Sequence, residues 1–154
     1  MLSDLAIDRK ILKYLITNAR MPFLEIARKC GISGAAIHQR IKKLDESGVI
    51  LGSRLVVDPK MLGFDVCAYI GIRLQDVSIL MQTVDRLKQI PEIVECHFTG
   101  TYNLFVKLYC VDNEHLMTTL CDRILAIPGI STTQTYISLN EAFQRQIYVD
   151  CLHD

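Results

Sequence analysis

The densest run of side chains able to do chemistry lies between Ser33 and Lys43, where a hydroxyl, the His38 imidazole, the Gln39 carboxamide and cations at Arg40, Lys42 and Lys43 crowd into eleven residues. That set suits recognition of a polyanion better than bond breaking. A glutamine can address adenine through both amide atoms, an alanine such as Ala35 or Ala36 can touch a thymine methyl, and lysines neutralise phosphates.

These side chains need a helix to present them. Ile37, Ile41 and Leu44 recur at helical spacing and face a core, which turns Ala35, His38, Gln39, Lys42 and Lys43 outward. Ser33 suits the N-cap, Gly48 ends the helix, and Gly31 closes the preceding one. Upstream, Ile7, Ile11, Leu12 and Leu15 make residues 4–18 amphipathic, and Phe23, Ile26, Ala27 and Cys30 do the same after Pro22. Three helices with only a turn between the last two predict a helix-turn-helix unit. In such a unit the start of the third helix approaches base edges. Gly34, Ala35, Ala36, His38 and Gln39 are therefore candidate readers, and Lys42 and Lys43 candidate phosphate contacts. Arg40 projects beside the apolar stripe, and spacing leaves an internal ion pair and a phosphate clamp both open.

Charge supports the division. The chain is neutral, yet residues 1–54 carry 10 Lys/Arg against 5 Asp/Glu, and residues 55–154 carry 7 against 12. A basic end joined to an acidic one implies an anionic partner for the first part alone. The cysteines at 30, 67, 96, 110, 121 and 151 form no C-x-x-C pair, so metal and redox chemistry are not indicated and most should be buried thiols. His38 has no ligand at helical spacing, and His97, His115 and His153 sit in no sequence motif for catalysis. No metal site, cofactor or enzyme activity is expected. The sequence offers neither a membrane-length apolar run nor a signal pattern in MLSDLAID, so a cytoplasmic protein is expected.

The second half repeats itself. Ile90-Pro91-Glu92-Ile93 recurs as Ile127-Pro128-Gly129-Ile130, each copy after an amphipathic stretch and before a strand-like run. Strands are expected over 66–74, 93–100, 103–111 and 130–139, and helices over 77–90 and 113–126. Two βαβ halves joined by a hairpin make a ferredoxin-like βαββαβ sandwich, so the fold class is α+β: a three-helix (winged) helix-turn-helix followed by that sandwich. Both helices then cover one sheet face. On the other face either Cys67, Tyr69 and Gly71 or Val66, Ala68, Ile70 and Ile72 point outward, and neither set is polar, which predicts a homodimer built there. Boundaries fall at 1–51 for the first domain, 52–62 for an extended connector and 63–154 for the second. The turn Gly100-Thr101-Tyr102-Asn103 could hold a small carboxylate on backbone N–H groups, and the run Ser131 to Thr135 could line a pocket or an edge.

Taken together, LAIDRKILKYLITNAR, IARKCGIS, IHQRIKKLDESGVILG, DPKMLGFDV and FTGTYNLFVKLYC resemble the Lrp/AsnC, or feast/famine, transcription regulators over essentially the whole chain. Several of these stretches look most like the asparagine-responsive branch. The resemblance implies a double-stranded DNA partner, Ser33 to Lys43 as recognition helix, and a C-terminal domain that dimerises through its sheet. It further implies assembly toward octamers and a small amino-acid effector, asparagine the first candidate, held by Gly100, Thr101, Tyr102 and Asn103 with Ser131, Thr133 and Thr135 across an interface. Many relatives carry Asp where this chain has Asn103. The competing expectation is an ACT-like metabolite-sensing module that regulates an enzyme without binding DNA.

Overall fold

The computed structural model describes residues 2–149, with side chains from residue 5 onward; the end of the expected second domain, with Cys151 and His153, lies outside them. Two compact units divide the chain, one comprising Met1–Val56 with Phe143–Asp154, the other Val57–Ala142.

In the first unit the apolar stripes seen in the sequence produce three helices, α1 (Leu2–Thr17), α2 (Phe23–Cys30) and α3 (Gly34–Glu46). Ile11, Ile26 and Ile37, one from each, are fully buried and centre its core. Gly31, at φ 67°, closes α2 in the left-handed conformation, and Ser33 Oγ accepts from the Ala36 N–H at 3.1 Å to open α3. The turn is tight because α2 and α3 nearly touch: a Cβ on Gly34 would stand 2.9 Å from Leu24 Cδ2. Residues 50–58 carry no regular structure and pair with no strand, and Leu51, Leu55, Val56 and Val57 are exposed along them. The connector expected over 52–62 is thus an unpaired arm only to residue 58, and it ends in a 3-10 turn at Lys60–Leu62. Residues 143–149 belong to the first unit rather than continuing the second, as the sequence boundary had them, and Val149 is buried there.

The second unit is a four-stranded antiparallel sheet of β1 (Val66–Leu74), β2 (Ile93–Phe98), β3 (Leu104–Cys110) and β4 (Ile130–Ser138), ordered β2-β3-β1-β4. Both crossover helices are less regular than the expected spans. The first begins as a 3-10 turn, Val77–Ile79, before α4 (Leu80–Leu87). The second is α-helical only over α5 (Asn113–Thr118) and widens into π geometry over Thr119–Ile124. Residues spaced by four drift around an α-helix that advances about 100° per residue, and the wider turns offset that drift. Leu116, Leu120 and Ile124 thereby all reach the sheet.

Register settles which face is bare. Ala68, Ile70 and Ile72 join Leu104, Val106 and Leu108 in the core beneath the helices. The outward set is therefore Cys67, Tyr69, Gly71 and Arg73, with Phe105, Lys107 and Tyr109 beside them on β3. Of the described cysteines only Cys110 is fully buried; Cys96 and Cys121 are exposed, contrary to the expected burial, because β2 is an edge strand and Cys121 lies on the outer side of the π turn.

Candidate nucleic-acid interface and effector face

On α3 the structure gathers the sequence candidates on one side. Ser33, Ala35, His38, Gln39, Lys42 and Lys43 are exposed, while Gly34, Ala36 and Arg40 are half-buried. His38 meets the edge of Phe23 with ring centroids 5.3 Å apart, which positions the imidazole at the α2–α3 corner. Lys42 lies 3.7 Å from Glu46 one turn on, both well exposed, so this pair competes only weakly with an incoming phosphate. Arg40 turns the other way: its guanidinium donates to Asp8 Oδ1 of α1 at 2.8 Å. The choice left open by spacing falls to the internal ion pair. It ties α3 to α1 and fixes the angle at which the exposed face is presented.

The loop from Gly100 to Asn103 is pinned at three points. Thr99 Oγ1 donates to the Tyr102 carbonyl at 2.8 Å, and Asn103 Oδ1 accepts from the Leu74 N–H at 2.7 Å, holding the loop to the end of β1. The third point is the Tyr102 side chain, which lies across the bare face. Its ring covers Gly71, where a Cβ would come within 2.7 Å of it, and its hydroxyl donates to Gln134 Oε1. With that proton committed, Tyr136 must donate to Tyr102 across 3.0 Å, and this bond holds the Tyr136 phenol above its ordinary range. The Arg73 guanidinium stacks 5.2 Å from the Tyr102 ring centre. Gly100 and Thr101 remain exposed beside this platform.

The β4 candidates divide. Thr133 and Thr135 sit opposite Ile72 and Ile70, on the helix side of the sheet, away from the face that carries Tyr102. Ser131, exposed, donates to the Arg73 carbonyl at 3.1 Å next to a register shift. The β4 residues that meet Tyr102 are Gln134 and Tyr136. Sequence reasoning placed Gln134 inside the run Ser131 to Thr135 but singled out the hydroxyls, placed Gly71 in only one of two alternative outward sets, and passed over Tyr136 and Arg73. The available signal was the alternation of Gly71 and Arg73 with a core set on β1.

Two further clusters were not visible in the sequence. Lys107 is buried on the bare face, its ammonium 5.8 Å and 5.4 Å from the Tyr69 and Tyr109 ring centres and 3.9 Å from Glu141 Oε2. Burial by itself would lower that ammonium, but the Tyr109 hydrogen bond and the neighbouring phenols outweigh it and hold Lys107 above its usual range. His115, on the helix side, and His97, opposite Phe105 on the bare face, do find carboxylates, across loops or strand residues rather than in motifs. His115 Nε2 is 3.1 Å from Glu92, whose other oxygen accepts from Arg123 at 2.7 Å, and His97 Nε2 is 3.3 Å from Glu95. The His115 Nδ1 accepts from the Val111 N–H at 3.2 Å, so the Nε2 carries the proton given to Glu92. This is a structural staple. Among the described residues no three His, Cys, Asp or Glu side chains cluster to hold a metal, and no helix is long and apolar enough to cross a membrane.

Comparison with known proteins gives the two units their class. Residues 4–50 match the winged helix-turn-helix DNA-binding family, and residues 67–148 match the Lrp/AsnC ligand binding domain. A reader unit joined to a ligand-binding sheet is a DNA-binding transcription regulator, not an enzyme. The chain is 35% identical to the regulatory protein AsnC of Haemophilus influenzae, over 92% of its own length and 95% of the relative's. The solved structure of Escherichia coli AsnC, 36% identical, superposes with a TM-score of 0.86 over 92% of this chain and 96% of that one. The same fold occurs in a feast or famine regulatory protein of Mycobacterium tuberculosis complexed with L-methionine, at 24% identity and a TM-score of 0.86 over 94% and 97% of the two chains. The chain belongs to the Lrp/AsnC family.

Proposed function

We propose that this regulator reads DNA with the exposed face of α3 and changes its assembly or operator affinity when a small amino acid, asparagine the first candidate, binds beside Gly100 to Asn103. The observation that carries the effector reading is the loop itself: exposed backbone at Gly100 and Thr101 is held rigidly by Asn103 and Tyr102 at the end of β1. Exposed backbone held in place in this way offers N–H donors to an α-carboxylate. Methionine held by a relative of the same fold supports the ligand class, and the resemblance to the asparagine-responsive branch supports asparagine within it.

The same reading pairs two chains through the bare sheet face, where Tyr69, Phe105, Tyr102 and Tyr136 form an aromatic cluster opposite the face that packs on α4 and α5. Pairs assemble further, toward octamers, with the effector between them, and the protein works in the cytoplasm. A ligand acts on such an equilibrium only through unequal affinity for its states, and a site between dimers supplies that inequality. Ser131, Thr133 and Thr135 take part from a neighbouring dimer rather than from the Tyr102 side of their own sheet. The module without DNA binding is disfavoured by the match of residues 4–50 to a DNA-binding family.

A thermal-shift panel of the twenty amino acids tests the effector. A ligand at a hundred times its Kd stabilises the folded state by about 2.7 kcal/mol, so asparagine should raise Tm measurably. No response to any amino acid defeats the effector reading. Mobility shift on the DNA flanking its own gene, over a salt series, tests the reader.

A further inference from the structure

We infer that the Tyr102 hydroxyl, through Gln134 and Tyr136, is the relay by which the Gly100–Asn103 loop acts on the pairing face of the sheet. This rests on the effector and pairing readings above and adds the route between them.

The backbone of Tyr102 belongs to the loop, where its carbonyl accepts from Thr99 and its neighbour Asn103 is tied to Leu74. Its side chain belongs to the face. It leaves the β2–β3 connection, crosses β1 over Gly71 and ends on β4 at Gln134 and Tyr136. One residue thus spans three neighbouring strands. A β1 side chain at position 71 would fill the slot, and glycine leaves it open. The aromatic contacts continue inward: Phe105 is 6.0 Å from Tyr102, 6.2 Å from Tyr136 and 6.1 Å from Tyr69, measured between ring centres.

A ligand on the loop and a second chain on the sheet therefore address opposite ends of Tyr102. Any shift of the loop backbone moves the hydroxyl relative to Gln134 and Tyr136, both exposed on the face. These two side chains then lose a fixed partner and present different polar atoms to an incoming sheet. Reciprocally, a chain that fixes Gln134 and Tyr136 fixes the loop, as linkage requires. If Tyr102 merely anchored its own loop, removing its β4 partners would lower stability and leave the assembly response intact.

The decisive variants are Gln134→Met and Tyr136→Phe, which each delete one partner of the hydroxyl and leave the loop residues untouched. Asparagine affinity is measured by calorimetry, and the self-association midpoint by sedimentation with and without asparagine. Both variants should bind asparagine within about threefold of the wild type, while the asparagine-driven shift in midpoint falls by about fivefold or more, the low end of ordinary allosteric coupling. A shift equal to wild type in either variant, or loss of asparagine binding in either, overturns the relay. So does a wild type that binds asparagine without any change in assembly. If no amino acid binds the wild type, the effector reading fails by itself; the relay is then judged on ligand-free midpoints, which both variants must move and which, unmoved, refute it.

Discussion

At position 103 the side-chain carbonyl is already committed, because Asn103 Oδ1 accepts from the Leu74 N–H at 2.7 Å and so secures the loop to β1. A carboxylate there could keep that bond with one oxygen and offer the other, charged, to a ligand's ammonium group. Asn103→Asp should therefore tighten binding of a zwitterionic amino acid by about tenfold, the difference between a neutral and a charge-assisted hydrogen bond. Titration calorimetry reads this directly, and unchanged or weaker binding removes the ammonium from this position. The cations of α3 separate in the same way. Lys42 and Lys43 are exposed, whereas Arg40 bridges to Asp8. Replacing both lysines by alanine should weaken binding to every duplex and flatten the slope of log K against log salt by about 0.9 for each phosphate no longer neutralised. Arg40→Met should lower Tm and leave the slope alone. A slope that changes with Arg40 and not with the lysines reverses the assignment.

At the level of elements, what the sequence disclosed followed from apolar periodicity, and what it hid lay where that periodicity fails. The α3 stripe and the Ile-Pro-x-Ile repeat located helices and strands closely, since burial of alternating or helical sets dictates both. β4 has no such alternation in STTQTYIS, so nothing local distinguished the Ser131, Thr133, Thr135 parity from that of Gln134 and Tyr136. Pairing with β1 decided it, through Gly71 opposite Gln134 and Tyr69 opposite Tyr136. The π turn was hidden for a related reason: the leucine spacing fits either helix until the sheet beneath it selects one. Glu92, on the loop entering β2, joins that turn to the rest by accepting from both His115 and Arg123. Burial alone would raise its carboxyl, but the hydrogen bonds from its own backbone N–H and from His115, with the Arg123 charge, prevail and hold it below the ordinary value of 4.5. A depressed carboxylate stabilises the fold fully above its unfolded pKa and ceases to as pH falls through the folded one. Wild type should thus exceed Glu92→Gln by about 1 to 2 kcal/mol near neutrality, from hydrogen bonds to a charged acceptor. The gap should narrow from about pH 4.5 downward. Thermal melts of the two proteins between pH 5.5 and 3 decide it, and a gap constant with pH would place Glu92's contribution elsewhere.

For the whole molecule, the informative fact is where the chain leaves the sheet unit. It enters β1 near Val66 after the arm of residues 50–58, and it departs from β4 at Ser138, which pairs with Cys67. Entry and exit therefore lie at the same end of one antiparallel strand pair, and both lead to the unit that carries α3: the exit runs on to residues 143–149, where Val149 is buried beside an open cleft of about 410 Å³ lined by Lys13, Ile16 and Thr17 of α1. The reader is thus joined to the sensor by two stretches of chain rather than one. Both stretches attach to adjacent strands, β1 and β4, so a coupling that needs both tethers is lost when either is loosened. Ending the chain after Ala142 removes the second tether and uncovers the α1 side of the cleft. Loss of one buried valine corresponds to about 1.5 kcal/mol. That should lower the melting of a unit of this size by about 6–12 °C. Calorimetry should resolve this as a downward move of one transition, the sheet unit's remaining in place, since units with separate cores need not melt together. A flexible Gly/Ser insertion between Leu139 and Asn140 isolates the mechanical part, because it keeps Val149 and its neighbours while loosening the tether. The inserted protein should retain its DNA affinity and its amino-acid affinity when each is measured alone, and lose most of the change in DNA affinity that the amino acid produces. If that change survives at wild-type size, the arm of residues 50–58 transmits it unaided and the second tether serves only to stabilise the reader.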